Sequence, residues 1–240
     1  MKFYQSIAGL YDEIFPPKPI QCTFVKKHLN KGAHTVLDVG CGTGNLTFQL
    51  AGIYKKVYGI DLDKEMLQLA LRKRETRIHP EFREMNMLHL TKSFPDNYFD
   101  AVVCFGNTLV HLDSLDEISR FIMMAKEVLK PDSSLMIQTI NYDRILKQKL
   151  RMLPTIETDE IEFIRNYNYL DSINRIEFET KLCHKASGDT VNNKINLYPL
   201  LKNEIDTILK NAGFKKIIYY GNFKMDSLSE ESQPLIIVAS

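Results

Sequence analysis

The residues of this chain that point most directly to chemistry are two acids and the run of glycines between them. Asp38 is followed by Gly40, Gly42 and Gly44 at alternate positions, and Asp61 ends the next apolar segment. Glycine lets the backbone approach a ligand because no Cβ stands in the way. A carboxylate accepts charge-assisted hydrogen bonds from an ammonium group or from the paired hydroxyls of a ribose. The pattern predicts a site for a cationic nucleoside.

The elements that position these residues are a short strand, a tight turn and a helix. Val36, Leu37 and Val39 have the apolar pattern of a buried strand, and the segment 46–54 has helical spacing. This order directs the free amide groups at the helix N-terminus towards a ligand. Dinucleotide sites use the spacing G-x-G-x-x-G, whereas Asn45 stands here in place of the third glycine. An NAD(P)-dependent oxidoreductase is therefore kept only as an alternative interpretation.

Composition and charge narrow the class of partner. The chain has 240 residues, a formal net charge of +1 and ordinary fractions of apolar and charged residues. Such a balance creates no broad field for nucleic acid or an anionic membrane, so a small molecule is the expected partner. The four cysteines are scattered, which predicts neither a disulfide framework nor a metal site. No segment predicts a signal peptide or a membrane span, and we expect a cytoplasmic protein.

Alternating strand and helix patterns predict an α/β fold with a Rossmann-like, seven-stranded, mostly parallel sheet and helices on both faces. Its strands are predicted near 35–39, 56–60, 80–85, 99–104, 134–140, 214–220 and 234–239. Residues 1–240 are expected to form one catalytic domain. Residues 1–30 carry apolar side chains at helical spacing and are expected to form a helical cover.

Residues 141–199, after the fifth strand, interrupt this alternation. After a short helical segment, their Ile, Phe, Tyr and Thr content predicts antiparallel strands near 160–169, 172–184 and 191–198. Open α/β sheets bind ligands outside the carboxyl ends of their strands, so this β insertion is expected to form a substrate lid. The alternative is a sheet extension that makes a homodimer, since exposed strand edges pair readily.

Several motifs resemble those of class I S-adenosylmethionine-dependent methyltransferases of the small-molecule type. DVGCGTG at 38–44 and VYGID at 57–61 carry the resemblance, and NML at 86–88, VLKPD at 128–132 and LKNAGF at 209–214 extend it over nearly the whole chain. The resemblance implies S-adenosylmethionine (SAM) as cofactor, S-adenosylhomocysteine (SAH) as product, and methyl transfer to a small-molecule acceptor by in-line displacement. A protein that binds SAM without catalysis is a second alternative.

The resemblance also implies which residues contact the cofactor. The methionine end is expected at the glycine turn, the ribose at Asp61 and the adenine at 86–88, where Asn86 replaces the more common acid and weakens the bond. The rings of Tyr4 and Tyr11 are expected to face the sulfonium cation, or else to form a purely structural stripe. The predicted cofactor-binding residues are Tyr11, Asp38, Gly40, Cys41, Gly42, Gly44, Asn45, Asp61, Leu62, Met66, Asn86, Met87, Leu88, Phe105 and Gly106.

Candidates for acceptor binding and catalysis follow the fourth and fifth strands. The segment GNT at 106–108 resembles the glycine/sarcosine N-methyltransferase group, in which Asn107 would orient the acceptor and His111 would take a proton. A turn cap and a packed histidine are the alternatives for these two residues. Arg144, whose fork suits a carboxylate, and Tyr198 are the predicted substrate-binding residues, with an ordinary surface cation as the alternative for Arg144.

Overall fold

The computed structural model describes residues 2–29, 32–73 and 80–240. Within these ranges the strands are β1 (Thr35–Val39), β2 (Lys56–Asp61), β3 (Glu81–Glu84), β4 (Phe99–Cys104), β5 (Leu129–Ile140), β6 (Met152–Glu157), β7 (Ile161–Leu170), β8 (Arg175–His184), β9 (Thr190–Leu197), β10 (Ile217–Tyr220) and β11 (Pro234–Ala239). The helices are α1 (Lys2–Gln5), α2 (Tyr11–Ile14), α3 (Pro19–His28), α4 (Asn45–Ala51), α5 (Lys64–Arg72), α6 (Leu90–Ser93), α7 (Leu115–Val128), α8 (Tyr142–Lys147) and α9 (Lys202–Asn211). In the described ranges no helix has both the length and the apolar character needed to cross a bilayer.

Seven of these strands form one sheet, in the order β10-β11-β5-β4-β1-β2-β3. Strands β1 to β5 pair in parallel, and β11 runs antiparallel to both β5 and β10. The predicted Rossmann-like, seven-stranded, mostly parallel sheet is therefore confirmed. Strand β5 begins earlier than predicted, because Leu129 already pairs with Phe99 of β4.

Helices cover both faces of this sheet, as the interior strand β1 illustrates. All five of its residues are buried, and successive side chains of a strand point to opposite faces. Val36 belongs to a core with Leu50 of α4, whereas Leu37 belongs to another core with Phe121 of α7. Packed layers on both sides therefore hold the end of β1 that carries Asp38.

The insertion forms a second sheet of four antiparallel strands, in the order β6-β7-β8-β9. Strands β7, β8 and β9 match the three predicted ones, but β6 was not predicted. Strand β6 is an edge strand that contains Pro154 and exposes most of its side chains. Its sequence therefore lacks the apolar alternation that marks a half-buried strand. Its register with β7 also shifts between Leu153 and Ile156.

The N-terminal segment packs against the insertion. Ile7 and Ile14 share a buried core with Ile161 and Phe163 of β7. This core is separate from the two cores of the main sheet. The segment and the insertion therefore form one continuous cover, joined by apolar contacts that the sequence did not predict.

Candidate active site

The glycine turn after β1 is fixed by hydrogen bonds to the neighbouring strand. The backbone N–H groups of Gly40 and Cys41 donate to the carbonyl oxygen of Ile60, at 2.8 and 3.0 Å. The N–H of Gly42 donates to Oδ2 of Asp61 at 2.8 Å. The two sequence motifs are thus parts of one structure, because the carboxylate expected to bind the ribose also holds the turn.

Asp61 keeps the capacity to bind a ligand. Its Oδ1 accepts from the N–H of Asp63 at 2.8 Å and its Oδ2 from Gly42, so each oxygen retains a lone pair for a ribose hydroxyl. Burial raises the pKa of Asp61, while the backbone N–H groups of Asp63 and Gly42 oppose the rise. These donors favour the ionised carboxylate that a diol requires.

Two glycines of the turn have different roles. Gly40 has a φ of 69°, and a Cβ at this position would overlap the side chain of Thr108. Gly44 has a φ of 79°, and a Cβ there would lie 2.8 Å from Cζ of Phe82. Gly40 therefore lets the turn pack closely on Thr108, and it lines both cavities described below. Gly44 packs on Phe82 and is not among the lining residues of these cavities, and its contact with the cofactor stays a prediction.

A cavity of about 270 Å³ lies at the carboxyl ends of β1, β2 and β3. The predicted residues that line it are Tyr11, Gly40, Gly42, Asp61, Leu62, Met66, Asn86, Met87, Leu88 and Gly106. Lining residues that the sequence analysis missed include Asp63, Met85, Thr108, Asp113 and Glu117. Apolar side chains beside a carboxylate suit a flat base attached to a ribose.

Asn86 has a local role that the sequence analysis did not predict. Its Oδ1 accepts from the N–H of Leu88 at 2.8 Å and caps the short helical turn at Met87–His89. The predicted bond from the adenine amino group would therefore share an oxygen that already has a protein partner.

A larger cavity, of about 570 Å³, lies between the glycine turn, the ends of β4 and β5, and the insertion. The predicted residues that line it are Tyr11, Asp38, Gly40, Cys41, Asn45, Phe105, Gly106, Asn107 and His111. Its aromatic wall was not predicted and consists of Phe15, Phe163, Tyr167, Phe178 and Phe223. Tyr4, Tyr11, Gly40, Gly106 and His111 line both cavities, so the two cavities meet at these residues.

Asp38 is the carboxylate of the larger cavity. It is 3% exposed, and the hydroxyl of Thr47 donates to its Oδ2 at 2.6 Å. Burial raises the pKa of Asp38 to about 7; the bond from Thr47 opposes this shift and the charge of Asp61 adds to it. A ligand cation beside Asp38 would stabilise the ionised form, because opposite charges attract strongly where water is excluded.

A polar clamp, defined as Asp12, Thr43, Asn45 and Lys73, ties the N-terminal segment to the glycine turn. Asp12 accepts from Thr43 Oγ1 at 2.5 Å and from Asn45 Nδ2 at 2.9 Å, and it forms an ion pair with Lys73. Lys73 also donates to Oδ1 of Asn45 at 3.0 Å. The amide of Asn45, predicted to bind the methionine end, therefore has protein partners at both its nitrogen and its oxygen.

His111 is held neutral at the junction of the two cavities. Its Nε2 and the hydroxyl of Tyr4 are 2.9 Å apart and share a hydrogen bond. Burial lowers the pKa of His111 to about 4. Its Nδ1 is buried and has no partner within the described ranges. The neutral ring is a weak base, and the proton-accepting role of His111 stays a prediction.

Asn107 joins the turn after β4 to the end of β5. Its Nδ2 donates to the hydroxyl of Tyr142 at 3.0 Å, and its Oδ1 accepts from the N–H of Ile140 at 2.9 Å. The residue has a φ of 67°, in the left-handed region that asparagine tolerates. Asn107 lines the larger cavity, but both polar atoms of its side chain already have protein partners.

Arg144 and Tyr198 are not among the residues that line the two cavities. Nε of Arg144 lies 3.9 Å from an Oε of Glu231, and the hydroxyl of Tyr198 donates to Glu204 at 3.1 Å. The substrate-binding role of Arg144 and Tyr198 stays a prediction.

Arg165 is the charged residue of the insertion that the sequence analysis missed. It lines the larger cavity from β7, between Phe163 and Tyr167. A signal was present in the sequence, because Ile161, Phe163 and Tyr167 alternate as the inward face of a strand and Arg165 interrupts that row. A charge at an inward position is uncommon unless it has a partner.

The fold and the site define a Rossmann-like nucleoside-binding protein with an adjoining second cavity. Residues 36–132 match a family model described as a methyltransferase domain. A protein of Geobacillus sp. (strain WCH70) described as a methyltransferase is 30% identical and covers 98% of both chains. A glycine/sarcosine N-methyltransferase of Aphanothece halophytica is 27% identical over 84% of this chain and 74% of its own. The solved structure of an S-adenosylmethionine-dependent methyltransferase from Clostridium acetobutylicum has a TM-score of 0.80 at 16% identity and covers 99% of this chain and 98% of its own.

The chain belongs to the S-adenosylmethionine-dependent methyltransferase family. The alternatives of an NAD(P)-dependent oxidoreductase and of a non-catalytic SAM-binding protein are not supported by these comparisons. The residues present also fit this cofactor, since Asp61 keeps acceptor sites beside an apolar cavity that Gly40 and Gly42 also line. Asp38 supplies a buried carboxylate in the adjoining cavity.

Proposed function

We propose that the protein transfers the methyl group of SAM to a small-molecule acceptor bound in the larger cavity. The observation that carries this proposal is the meeting of the two cavities at Tyr4, Tyr11, Gly40, Gly106 and His111. A donor that begins in the smaller cavity and ends in the larger one crosses this junction. Its methyl group is then presented to whatever occupies the remainder of the larger cavity.

The smaller cavity is assigned to adenosine. Asp61 accepts from the ribose hydroxyls, and the apolar side chains of Leu62, Met87 and Leu88 pack on the base. The methionine end extends into the larger cavity, where Asp38 faces its ammonium group. Lys18, which also lines this cavity, is assigned to its carboxylate.

The junction positions the methyl group. The rings of Tyr4 and Tyr11 lie with centroids 6.2 Å apart, and their π faces attract a sulfonium cation. Bound SAM supplies an electrophilic methyl, which bonds to the acceptor lone pair while the electron pair of the broken S–C bond stays on sulfur. The chain's contribution is alignment, which can lower a barrier by about 7–11 kcal/mol in favourable cases.

The two covering segments exclude water from the transfer. We assign residues 1–30 as the cofactor cover and residues 141–199 as the acceptor lid of one methyltransferase domain spanning 1–240. The core shared by Ile14 and Phe163 supports a joint role for these segments. The free thiols of Cys22, Cys41, Cys104 and Cys183 support a cytoplasmic location. The homodimer stays a prediction, which light scattering in solution would test.

A labelling experiment tests the proposed function. The purified protein is incubated with methyl-labelled SAM and a fractionated pool of small metabolites, with the Asp61→Asn variant as the control. We expect label in one or a few small products with the wild-type protein and none with the variant. Tight binding of SAH without any labelled product from any fraction would argue against methyl transfer. Absence of SAH binding would remove the site assignment altogether.

A further inference from the structure

An arginine occupies an inward-facing position of the acceptor lid. Ile161, Phe163, Arg165 and Tyr167 alternate along β7 and therefore share one face of the sheet. The three apolar neighbours are at most 4% exposed. Arg165 lies among them and lines the larger cavity. A positive charge thus stands in a wall that is otherwise built as a hydrophobic core.

The guanidinium of Arg165 is incompletely paired. Nη2 donates to the carbonyl oxygen of Pro154, whereas Nε is buried and has no hydrogen-bond partner. No carboxylate in residues 2–29, 32–73 and 80–240 forms an ion pair with Arg165. Burial lowers its pKa, but a guanidinium stays protonated at physiological pH. An unpaired cation in a partly desolvated wall is costly, and a ligand anion would offset that cost.

Thr180 adds a second unsatisfied polar group beside it. Thr180 of β8 is the cross-strand partner of Arg165, so the two side chains lie on the same face of the sheet. Thr180 is 3% exposed, and its Oγ1 has no hydrogen-bond partner within the described ranges. Two buried donors without acceptors therefore stand side by side in the insertion, although neither belongs to the cofactor motifs.

The aromatic side chains that line the larger cavity indicate the shape and polarity of the rest of the ligand. Phe15, Phe163, Tyr167 and Phe178 surround Arg165 with aromatic surface. Asp38 is the single acidic residue among the described residues that line this cavity, and it lies on β1 and not on the insertion. The insertion side of the cavity thus combines one cation with flat apolar surface. A cavity of about 570 Å³ has room for a ligand body beyond the methionine end of the cofactor.

We propose that the methyl acceptor is a carboxylate with a flat, apolar body, anchored by Arg165. The carboxylate accepts hydrogen bonds from the guanidinium, and the body stacks against the aromatic wall with its nucleophilic atom towards the junction. This proposal rests on the proposed function, because it names the substrate class of the same cavity. Arg165 acts as a binding and specificity residue for the acceptor.

The alternative ligand of Arg165 is the carboxylate of the cofactor's methionine end. In one case the affinity for the acceptor depends on Arg165, and in the other the affinity for SAH does. If Arg165 binds the acceptor, its removal leaves SAH affinity unchanged. If Arg165 binds the methionine carboxylate, its removal lowers the affinity for SAH in the absence of any acceptor. This result would overturn the proposal.

Binding of model anions to SAH-saturated protein provides the test. The probes are benzoate, phenyl phosphate and the neutral analogue benzamide, and ligand-observed NMR measures their binding. The variants are Arg165→Met and Arg165→Lys. The control is Lys181→Met, which removes an equal charge from an exposed position of β8. We expect the wild-type protein and the control variant to bind benzoate at least about tenfold more tightly than benzamide. The affinity for benzoate should fall about tenfold in Arg165→Met. Arg165→Lys should lose less, because it keeps the charge without the fork.

The outcomes separate the two proposals. Preference for phenyl phosphate over benzoate would replace the carboxylate by a phosphate and overturn the stated class. Equal binding of benzamide and benzoate, or failure of both anions to bind, would overturn the anionic acceptor while leaving methyl transfer intact. Absence of SAH binding by the wild-type protein would instead contradict the proposed function.

Discussion

The proposed cofactor half and the proposed acceptor half of the site are built in different ways. In the cofactor half, backbone groups fix the functional side chains, as when Gly42 and Asp63 donate to Asp61. In the acceptor half, side chains from distant segments meet, as when Phe15 of the N-terminal segment packs on Phe163 of β7 with ring centroids 6.0 Å apart. The first half has its polar groups largely satisfied, whereas the second keeps an unpaired cation.

This difference shows which part of the site is preformed and which part is adaptable. A carboxylate that also holds a backbone turn cannot change without disturbing the turn. An arginine in an aromatic wall can change with little effect on the main sheet, because it belongs to the second sheet and not to the strands that carry the glycine turn. Substitutions in the two halves should therefore have different consequences for SAH binding and for stability.

Asp61→Asn should cause the largest loss. The variant removes the charge that accepts from the N–H of Gly42 and is proposed to bind the ribose, so SAH affinity is expected to fall by about 100-fold. The matched control is Glu84→Gln, which alters the exposed acid that pairs in register with Asp61 on β3. Calorimetric titration with SAH measures both. Equal losses in the two variants would mean that charge near the strand ends, and not the carboxylate contact, determines affinity.

The pH dependence of SAH binding should report Asp38. The pKa of Asp38 in the ligand-free protein is about 7, so below that pH an ammonium ligand must displace a proton. We expect affinity to fall by up to tenfold per pH unit below about pH 7, and to fall again at higher pH where the ligand's ammonium group loses its proton. Asp61 also has a raised pKa and titrates in the same direction. The Asp38→Asn variant separates the two, because its affinity should be lower at pH 7 and vary less with pH.

Arg165→Met should stabilise the ligand-free protein. Replacing an incompletely paired cation by an apolar side chain in an apolar row is expected to raise the free energy of unfolding by about 1 kcal/mol. Lys181→Met, on the exposed side, should leave it within about 0.5 kcal/mol. Urea denaturation of both variants measures the difference. A loss of stability in Arg165→Met alone would indicate that Arg165 is a structural residue and not a binding residue.

Asp12→Asn should have the smallest effect. The clamp is partly exposed, so solvent screens the ion pair with Lys73, and the loss of SAH affinity is expected to be only about threefold. Most of that loss should appear as faster dissociation, because the cover opens more readily. Stopped-flow displacement of a fluorescent SAH analogue measures the rate, with Asp116→Asn at the start of α7 as the control. An unchanged dissociation rate would mean that the apolar core alone closes the cover.

The sequence predicted the parts of the molecule that depend on local pattern. The seven-stranded sheet followed from alternating strand and helix signals, and the smaller cavity gathers Asp61, Leu62 and Met87 because consecutive strand ends meet at one edge of a parallel sheet. The edge strand β6 was missed because its exposed residues lack alternation. Arg144 and Tyr198 line neither cavity, because position after a strand does not fix side-chain direction.

Contacts between distant segments were beyond the reach of the sequence. The hydrogen bond between Tyr4 and His111 and the clamp at Asp12 join the N-terminal segment to elements far along the chain. No periodicity encodes such pairings, since each depends on how the cover is oriented over the sheet. The packing of Gly44 against Phe82 is another such contact, since its position in the glycine motif did not predict it.

The shared core of the N-terminal segment and the insertion has a consequence for the order of events in turnover. Ile7 and Ile14 contact the insertion on one side, while the neighbouring Asp12 accepts a hydrogen bond from Thr43 of the glycine turn on the other. If the cofactor enters past Tyr11, it displaces a segment against which the insertion is packed. Ordered kinetics should result, with the methyl donor arriving first and its spent form departing last.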